Sequence, residues 1–382
     1  MKKATCLLIL FALISAAAGC SGPDQGRRGE DVPGDQIVKE TAAERVTQDS
    51  EADSVEEDST QGTRQETEAG ALAGSGKDMA AISYTMYVVD PESSPYVEGG
   101  KKIAQLVQDA TDGRIRIDVV GGSEAGEREL VEQAMDQKLD IVTCANSVLT
   151  NYIPQMNILD QAYLWENEDQ AHAAVDGKLG EMIRERAERL GLHVIGFEES
   201  GFRNTFTMIP VEQVEDFSKI TIRTMENKYH KAAFEAFGAE PIGMPYPQVL
   251  DALKDGSINA CENATVNCLN SGYYEYTRHV TNTRHAFVYI LLLMSDEAWE
   301  RIPEELKDTF LDAVQEGVEW EREKLARESR QVVKELEDLG VTFHEIDTAA
   351  LKQLYRNAVE EKGFVFDPEW EAAVEEAIRE AG

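Results

Sequence analysis

Gly201-Phe202-Arg203-Asn204-Thr205-Phe206-Thr207, Ile220-Thr221-Ile222-Arg223-Thr224-Met225-Glu226-Asn227, Gly243-Met244-Pro245-Tyr246 and Cys261-Glu262-Asn263 are the stretches that decide how this chain reads. Each places a polar residue at the end of a short strand-like run bounded by turn residues. Arg203 opens one such run and Arg223 closes another, twenty residues on. A guanidinium fork matches a carboxylate with two parallel charge-assisted hydrogen bonds. One arginine at a strand end is ordinarily a solvated surface residue. Two of them, with Asn263 and Tyr246 at equivalent ends, imply a cleft for a small organic anion. The tyrosine would supply an apolar wall with a polar tip.

Outward from this stretch, strand and helix periods alternate. Strands are expected at 82–88, 114–120, 139–144 and 192–197, then at 205–209, 219–223, 241–244 and 257–260. The helices expected between them are one opening at Ser94-Pro95 and stopped by Gly113, then 127–137, 180–190, 228–237 and 247–254. Serine before proline is the usual order of an N-cap and a first helical residue. His279 and His285 flank an expected strand–turn–strand unit. A charged helical pattern runs from about 303 to 340, long enough to include a kink, and 349–380 is mostly helical. This alternation predicts an α/β fold, helices covering sheets, with ligands at the carboxyl ends of strands.

The ends carry different information. Lys2 and Lys3 precede an apolar run, Leu7–Ile14, too short to span a bilayer. Ala17-Ala18-Gly19-Cys20 reads as a bacterial lipobox, which would leave Cys20 as a lipid-modified first residue. Residues 21–80 contain no Phe, Trp or Tyr and predict a disordered acidic tether. The formal net charge is −35. The tether, with fifteen acids and six bases, accounts for −9 and the two leader lysines for +2, which leaves −28 on residues 81–382. Such a surface has no basic stripe for phosphates and excludes nucleic acid as a partner. Screening beyond roughly 10 Å still lets two local arginines dominate a cleft.

Enzyme motifs are missing: no Gly-rich phosphate loop, nucleophile elbow or zinc-binding helix motif appears, and the six histidines are scattered. No catalytic residue, cofactor or metal is expected. Cys144, Cys261 and Cys268 lack metal spacing and read as buried small residues, with a Cys261–Cys268 disulfide as the alternative.

The order of these pieces resembles the solute-binding proteins of TRAP (tripartite ATP-independent periplasmic) transporters, the DctP-type family. Gly121-Gly122-Ser123-Glu124-Ala125-Gly126-Glu127-Arg128-Glu129-Leu130 looks like its first-lobe turn and helix start, and Leu139-Asp140-Ile141 like the strand that follows. Gly201-Phe202-Arg203 and Ile220–Arg223 resemble the segments carrying its two carboxylate-facing arginines. The resemblance implies that Arg223 makes the bidentate carboxylate contact and that Arg203 supports it. It further implies that Asn263 bonds the same ligand and that Tyr246 forms a wall. Glu226 and Asn146 complete the candidate ligand-binding set. Ser218-Lys219-Ile220-Thr221, Gln161-Ala162-Tyr163-Leu164-Trp165 and Asn259–Ala264 depart from the family pattern, so the ligand stays unnamed.

The reading is a two-lobed, periplasmic-binding-protein-like α/β fold with an interlobe ligand cleft and a long connecting helix. Lobe I is expected at 81–200 plus about 287–330, lobe II at 201–286 plus about 331–382. The implied function is an extracytoplasmic receptor, a lipid-anchored monomer. It would hand a uronate, aldonate, keto acid or dicarboxylate to TRAP membrane subunits. Two other classes stay open: an extracytoplasmic enzyme on an acidic sugar using Glu262 or His230, and a ligand-sensing partner of a membrane signalling protein.

Overall fold

A computed structural model describes residues 81–382. The leader with Cys20 and the acidic segment 21–80 lie outside the described residues. Chain order in the first lobe is β1 (Ile82–Tyr87), α1 (Pro95–Ala110), β2 (Ile115–Val120), α2 (Glu127–Met135), β3 (Ile141–Ala145) and α3 (Asn146–Leu149). α4 (Glu168–Asp176) and α5 (Lys178–Glu188) follow. The Ser94 side chain accepts from the Val97 N–H and Pro95 takes the first helical turn, so α1 starts where its sequence says. β1 pairs in parallel with both β2 and β3. Parallel neighbours need crossover helices, and α1 and α2 are those crossovers.

β4 (Leu192–Thr207) then leaves the first lobe for the second. There β5 (Thr221–Thr224), α6 (Lys228–Phe237), β6 (Glu240–Gly243), α7 (Val249–Asp255), β7 (Ala260–Ala264) and α8 (Thr265–Asn270) repeat the theme, with β5 parallel to β6 and β7. β8 (His279–Ser295) returns to the first lobe and leads into α9 (Asp296–Glu300) and the 35-residue α10 (Glu304–Asp338). β9 (Thr342–His344), α11 (Thr348–Lys362) and α12 (Pro368–Ala381) complete the chain. Among the described residues nine strands form one sheet in the order β2-β1-β3-β8-β4-β7-β5-β6, with β9 on β8.

Each lobe sandwiches its share of that sheet between apolar clusters. In the first lobe, Leu130, Val131, Leu179 and Ile183 pack on one face, and Ile103, Val107, Phe310 and Val314 on the other. In the second, Leu253, Val266, Leu325 and Leu336 cover one face, and Phe217, Phe234, Leu351 and Tyr355 the other. α10 contributes to both lobes, through Phe310 to Val318 in one and Leu325 to Leu336 in the other. At its middle Arg322 forks onto Asp176 at 2.7 and 3.0 Å and donates to the Phe197 carbonyl. Among the described residues no helix is long and apolar enough to cross a membrane.

Four expectations need correction. The strands expected at 192–197 and 205–209 are one strand, because Glu198 to Asn204, polar enough to read as a loop, pair antiparallel with β8. Gly201, at φ +78°, sits at one of the three register breaks in that pairing, where a left-handed residue absorbs the irregularity. Likewise His279 and His285 lie within a single strand, interrupted near Arg284, whose N–H donates to Asn204 Oδ1. The strand expected at 257–260 instead spans Ala260–Ala264, where Glu262 and Asn263 are buried by pairing with β4. The last helix also departs from the expected second-lobe membership of 331–382. Trp370, Ala373, Val374 and Ala377 of α12 are buried in the first-lobe cluster with Leu179 and Ile183.

Where β4, α1 and α10 meet, two carboxyls are enclosed. Glu198 and Glu321 are fully buried, and neither Glu198 oxygen has a protein partner. Gly99 makes room for them: a Cβ there would lie 2.1 Å from Glu198 Oε1 and 2.9 Å from Glu321 Cγ. Burial pushes both carboxyls well above the usual range, helped for Glu321 by the charges of Glu198 and Glu199 and for Glu198 by Asp90. The folded state therefore binds protons that the unfolded chain has released above about pH 4.3, so this site loses stability as pH rises. Glu321→Gln is expected to melt higher than wild type at pH 8, by roughly 2 °C or more. The difference should close as pH falls toward about 4. Calorimetry across that range checks it; a pH-independent difference would contradict the assignment.

Candidate functional site

The parallel strands of both lobes point their carboxyl ends at one space, the place where open α/β sheets hold ligands. Asp90 follows β1, Ala145 ends β3, Arg223 lies near the end of β5 with Met225 just beyond it, and Asn263 lies near the end of β7. Together with Arg203 of β4, Tyr96 of α1 and Tyr246 they line a narrow cavity of about 30 Å³. Glu127, Arg223, Met225 and Tyr246 line both it and a wider cavity of about 530 Å³, whose walls come from Ser147 and Asn151 on one side and Met244 to Gln248 on the other. That volume lies within the roughly 300–1,000 Å³ typical of small-molecule sites.

The two predicted arginines are both 4% exposed but differ in their commitments. Arg203 is spent within the protein. Its Nε is in contact with Glu262 Oε2, Nη2 donates to Glu262 Oε1 at 3.0 Å and to the Glu262 carbonyl at 2.7 Å, and Nη1 donates to Asn263 Oδ1 at 2.8 Å. His285 Nε2 stands 3.3 Å from the same carboxylate. Burial alone would raise the Glu262 carboxyl, but the Arg203 charge and the bonds to His285 and Arg203 hold it far below the usual range. Arg223 uses only Nε, which donates to the Met244 carbonyl at 2.9 Å. Among the described residues, the buried arginines Arg203 and Arg322 face carboxylates, while Arg223 has none within 4 Å. Among the described residues its two terminal nitrogens have no hydrogen-bond partner, and the residue lines both cavities.

Asn263 also reaches the narrow cavity. Its Oδ1 accepts from Arg203, Ala264 N–H and Asn267 Nδ2, which leaves Nδ2 as the group that can serve a ligand. Asn267 donates in addition to the Tyr96 hydroxyl at 2.8 Å, joining α8 to α1 across the lobes. The Tyr246 hydroxyl is tied to Ser271 Oγ at 2.6 Å, so its ring stands fixed as a wall of both cavities. Glu226 is exposed at the rim of the wider cavity. Asn146 is not at the site. It is fully buried, donates to Asp160 Oδ1 at 3.0 Å and accepts from the Tyr289 N–H, so it pins α3 to β8. Its neighbours Ala145 and Ser147 are the ones that line cavities, because the chain turns there from strand to helix.

Two acids went unnoticed in the sequence. Glu127, at the start of α2, accepts the Ala145 N–H at 2.9 Å and lines both cavities. Burial raises its carboxyl, opposed by that N–H and by the charges of Arg223 and Arg203. Asp90 is pushed up to about 7, first by burial and then by the charge of Glu127. Their signal was positional: each directly follows a turn at the end of β1 or before α2. The two groups considered for acid–base chemistry are elsewhere. Glu262 is locked in its ion pair, and His230 is buried 3.8 Å from Asp160; neither lines a described cavity. Cys144, Cys261 and Cys268 are buried free thiols. Among the described residues no group of three His, Cys, Asp or Glu side chains is placed to hold a metal ion.

Known proteins resemble this chain in sequence and in fold. The 2,3-diketo-L-gulonate-binding periplasmic protein of Escherichia coli is 26% identical over 295 residues, 76% of this chain and 90% of that protein. The C4-dicarboxylate-binding periplasmic protein of Rhodobacter capsulatus is 23% identical over 302 residues, 77% of this chain and 90% of that one. The crystal structure of the sugar acid binding protein from Advenella mimigardefordensis with galactonate shares the fold, with a TM-score of 0.76 at 21% identity over 80% of this chain and all of that one. Residues 86–363 match the DctP family, described as bacterial extracellular solute-binding protein, family 7. The chain belongs to that family of extracellular solute-binding proteins.

Proposed function

We propose that this chain is the lipid-anchored receptor of a TRAP transporter, binding a small organic acid at Arg223 and passing it to the membrane subunits. The observation that carries this reading is the uncommitted guanidinium of Arg223 at the wall of a 530 Å³ interlobe cavity. A buried charge without a partner is costly, so such a site is built for a ligand that brings the counter-charge. Arg203 acts beneath it. Fixed by Glu262, it orients Asn263 rather than gripping the ligand itself.

Both lobes line the site, so only a closed arrangement gives the ligand all its contacts, and the ligand favours closure by its differential affinity. Links across the cleft support such a motion: Asn267 to Tyr96, Asn227 Nδ2 to Asp160 at 2.7 Å, and Ser147 Oγ to Met225 Sδ at 3.1 Å. Relatives that bind diketogulonate, galactonate or C4-dicarboxylates support an organic acid as the ligand class. Ala17-Ala18-Gly19-Cys20 supports anchoring on the outer face of the cell membrane through acylated Cys20. An acidic chain offers no basic patch to hold an anionic surface, so lipid is the anchor its chemistry permits.

Arg223→Ala is expected to weaken acid binding at least about thirtyfold, on the roughly 2–5 kcal/mol scale of a lost buried charge contact. Arg223→Lys should recover part of it. Neither change should lower the melting temperature of the ligand-free protein. Arg203→Ala should instead destabilise the ligand-free protein by about 3–5 kcal/mol, because Glu262 is left buried without its partner. Titration and scanning calorimetry separate the two roles; unchanged affinity in folded Arg223→Ala would discard the site. Cys20→Ser is expected to move the protein out of the membrane fraction with ligand binding intact. Membrane retention of the processed variant in cells lacking the transporter subunits would overturn the anchor.

A further inference from the structure

The charge inventory of the cavity carries the reading from organic acids in general to one class. A ligand carboxylate needs an uncommitted cation, and the described cavity walls offer one. Arg203 is neutralised by Glu262, and Arg128 at the mouth lies 3.3 Å from Glu132. Against the single free charge of Arg223 stand Glu127 and Asp90, with Glu124, Glu129 and Glu226 nearer the opening. A second carboxylate on the ligand would find no free cation and would meet only other carboxyl groups. Hydroxyl groups would find the reverse. A carboxylate oxygen only accepts, so it pairs with donors. One oxygen of Glu127 is taken by the Ala145 N–H, and the other has no donor within hydrogen-bond distance among the described residues.

From this asymmetry we infer that the ligand is a monocarboxylate bearing several hydroxyls, an aldonate or uronate, with its acid on Arg223 and its hydroxyls on Glu127 and Asp90. Glu127 is then the residue that sets specificity, by accepting from hydroxyls and repelling a second carboxylate. The wider cavity has room for a chain or ring of hexose size, more than a four-carbon diacid fills. Ser147 and Asn151 on its wall add neutral partners for hydroxyls at the far end. This inference rests on Arg223 as the acid anchor.

The test is titration calorimetry of the soluble protein with galactonate, gluconate, galacturonate and glucuronate against succinate and malate, with galactose as the uncharged control. At least one sugar acid is expected to bind more than about tenfold tighter than either diacid, about 1.4 kcal/mol or more. Galactose should not bind. Glu127→Gln keeps an oxygen for the Ala145 N–H while removing the charge, and should shrink the sugar-acid preference at least about tenfold by improving diacid binding. Asp90→Asn serves as the second variant and should shift the ratio in the same direction. Diacids binding tighter than every sugar acid would overturn the inference, as would an unaltered ratio in both variants, and either result would leave the Arg223 anchor standing. Binding of galactose as tightly as galactonate, or no binding by any acid, would overturn the anchor and the inference together.

Discussion

The antiparallel pairing of β4 with β8 is the constraint on which this molecule depends. Sixteen and seventeen residues long, the two strands run through both lobes and make one sheet of them. At about 3.3 Å per residue each spans roughly 50 Å. Everything that forms the cleft is referenced to this pair: β3 pairs with β8 in the first lobe, and β7 pairs with β4 in the second. Two of its three register breaks, at 199–201 and 203–205, flank Ser200 and Arg203, which line the narrow cavity. Bulges are where a ladder is most easily bent. A two-lobed receptor needs continuity and a place to bend, and the same strand pair supplies both.

Burial of charge follows a consistent rule here. Arg203 sinks into the second lobe only because Glu262 goes with it, and Arg322 enters the waist of α10 facing Asp176. Glu198 and Glu321 have no cation and are held toward their neutral forms instead. These are the two ways a protein offsets desolvation, pairing or protonation. Arg223 follows neither, and it lies at the junction of the two cavities. That departure is what the proposed reading of Arg223 rests on.

A chain carrying 72 acids and 37 bases is an unexpected vehicle for an anion site. The conflict resolves at short range. Charges on a solvated surface are screened within roughly 8–10 Å, while groups inside the cleft are screened far less. On the proposed reading the affinity for acid depends on Arg223 and its immediate neighbours rather than on the net charge. The surplus extends into the cleft, where Glu127 and Asp90 line the narrow cavity beside Arg223.

The sequence alone determined the alternation of strands and helices, the cap at Ser94, the long helix, the fold class and the pair of arginines with Asn263 and Tyr246. These are legible because periodicity, turn residues and apolar runs are local properties. What it could not decide were matters of pairing. Glu198 to Asn204 and Glu262-Asn263 look like loops until a neighbouring strand buries them. Trp370 looks like part of the nearest lobe in sequence until the chain crosses back to the other. Asn146 looks like a ligand group until Asp160 and Tyr289 claim it. Arg203 and Arg223 are equivalent on paper; only the tertiary structure gives one a carboxylate and sets the other at a cavity wall. A side chain's partner is set by segments far away in the chain, and no local pattern records it.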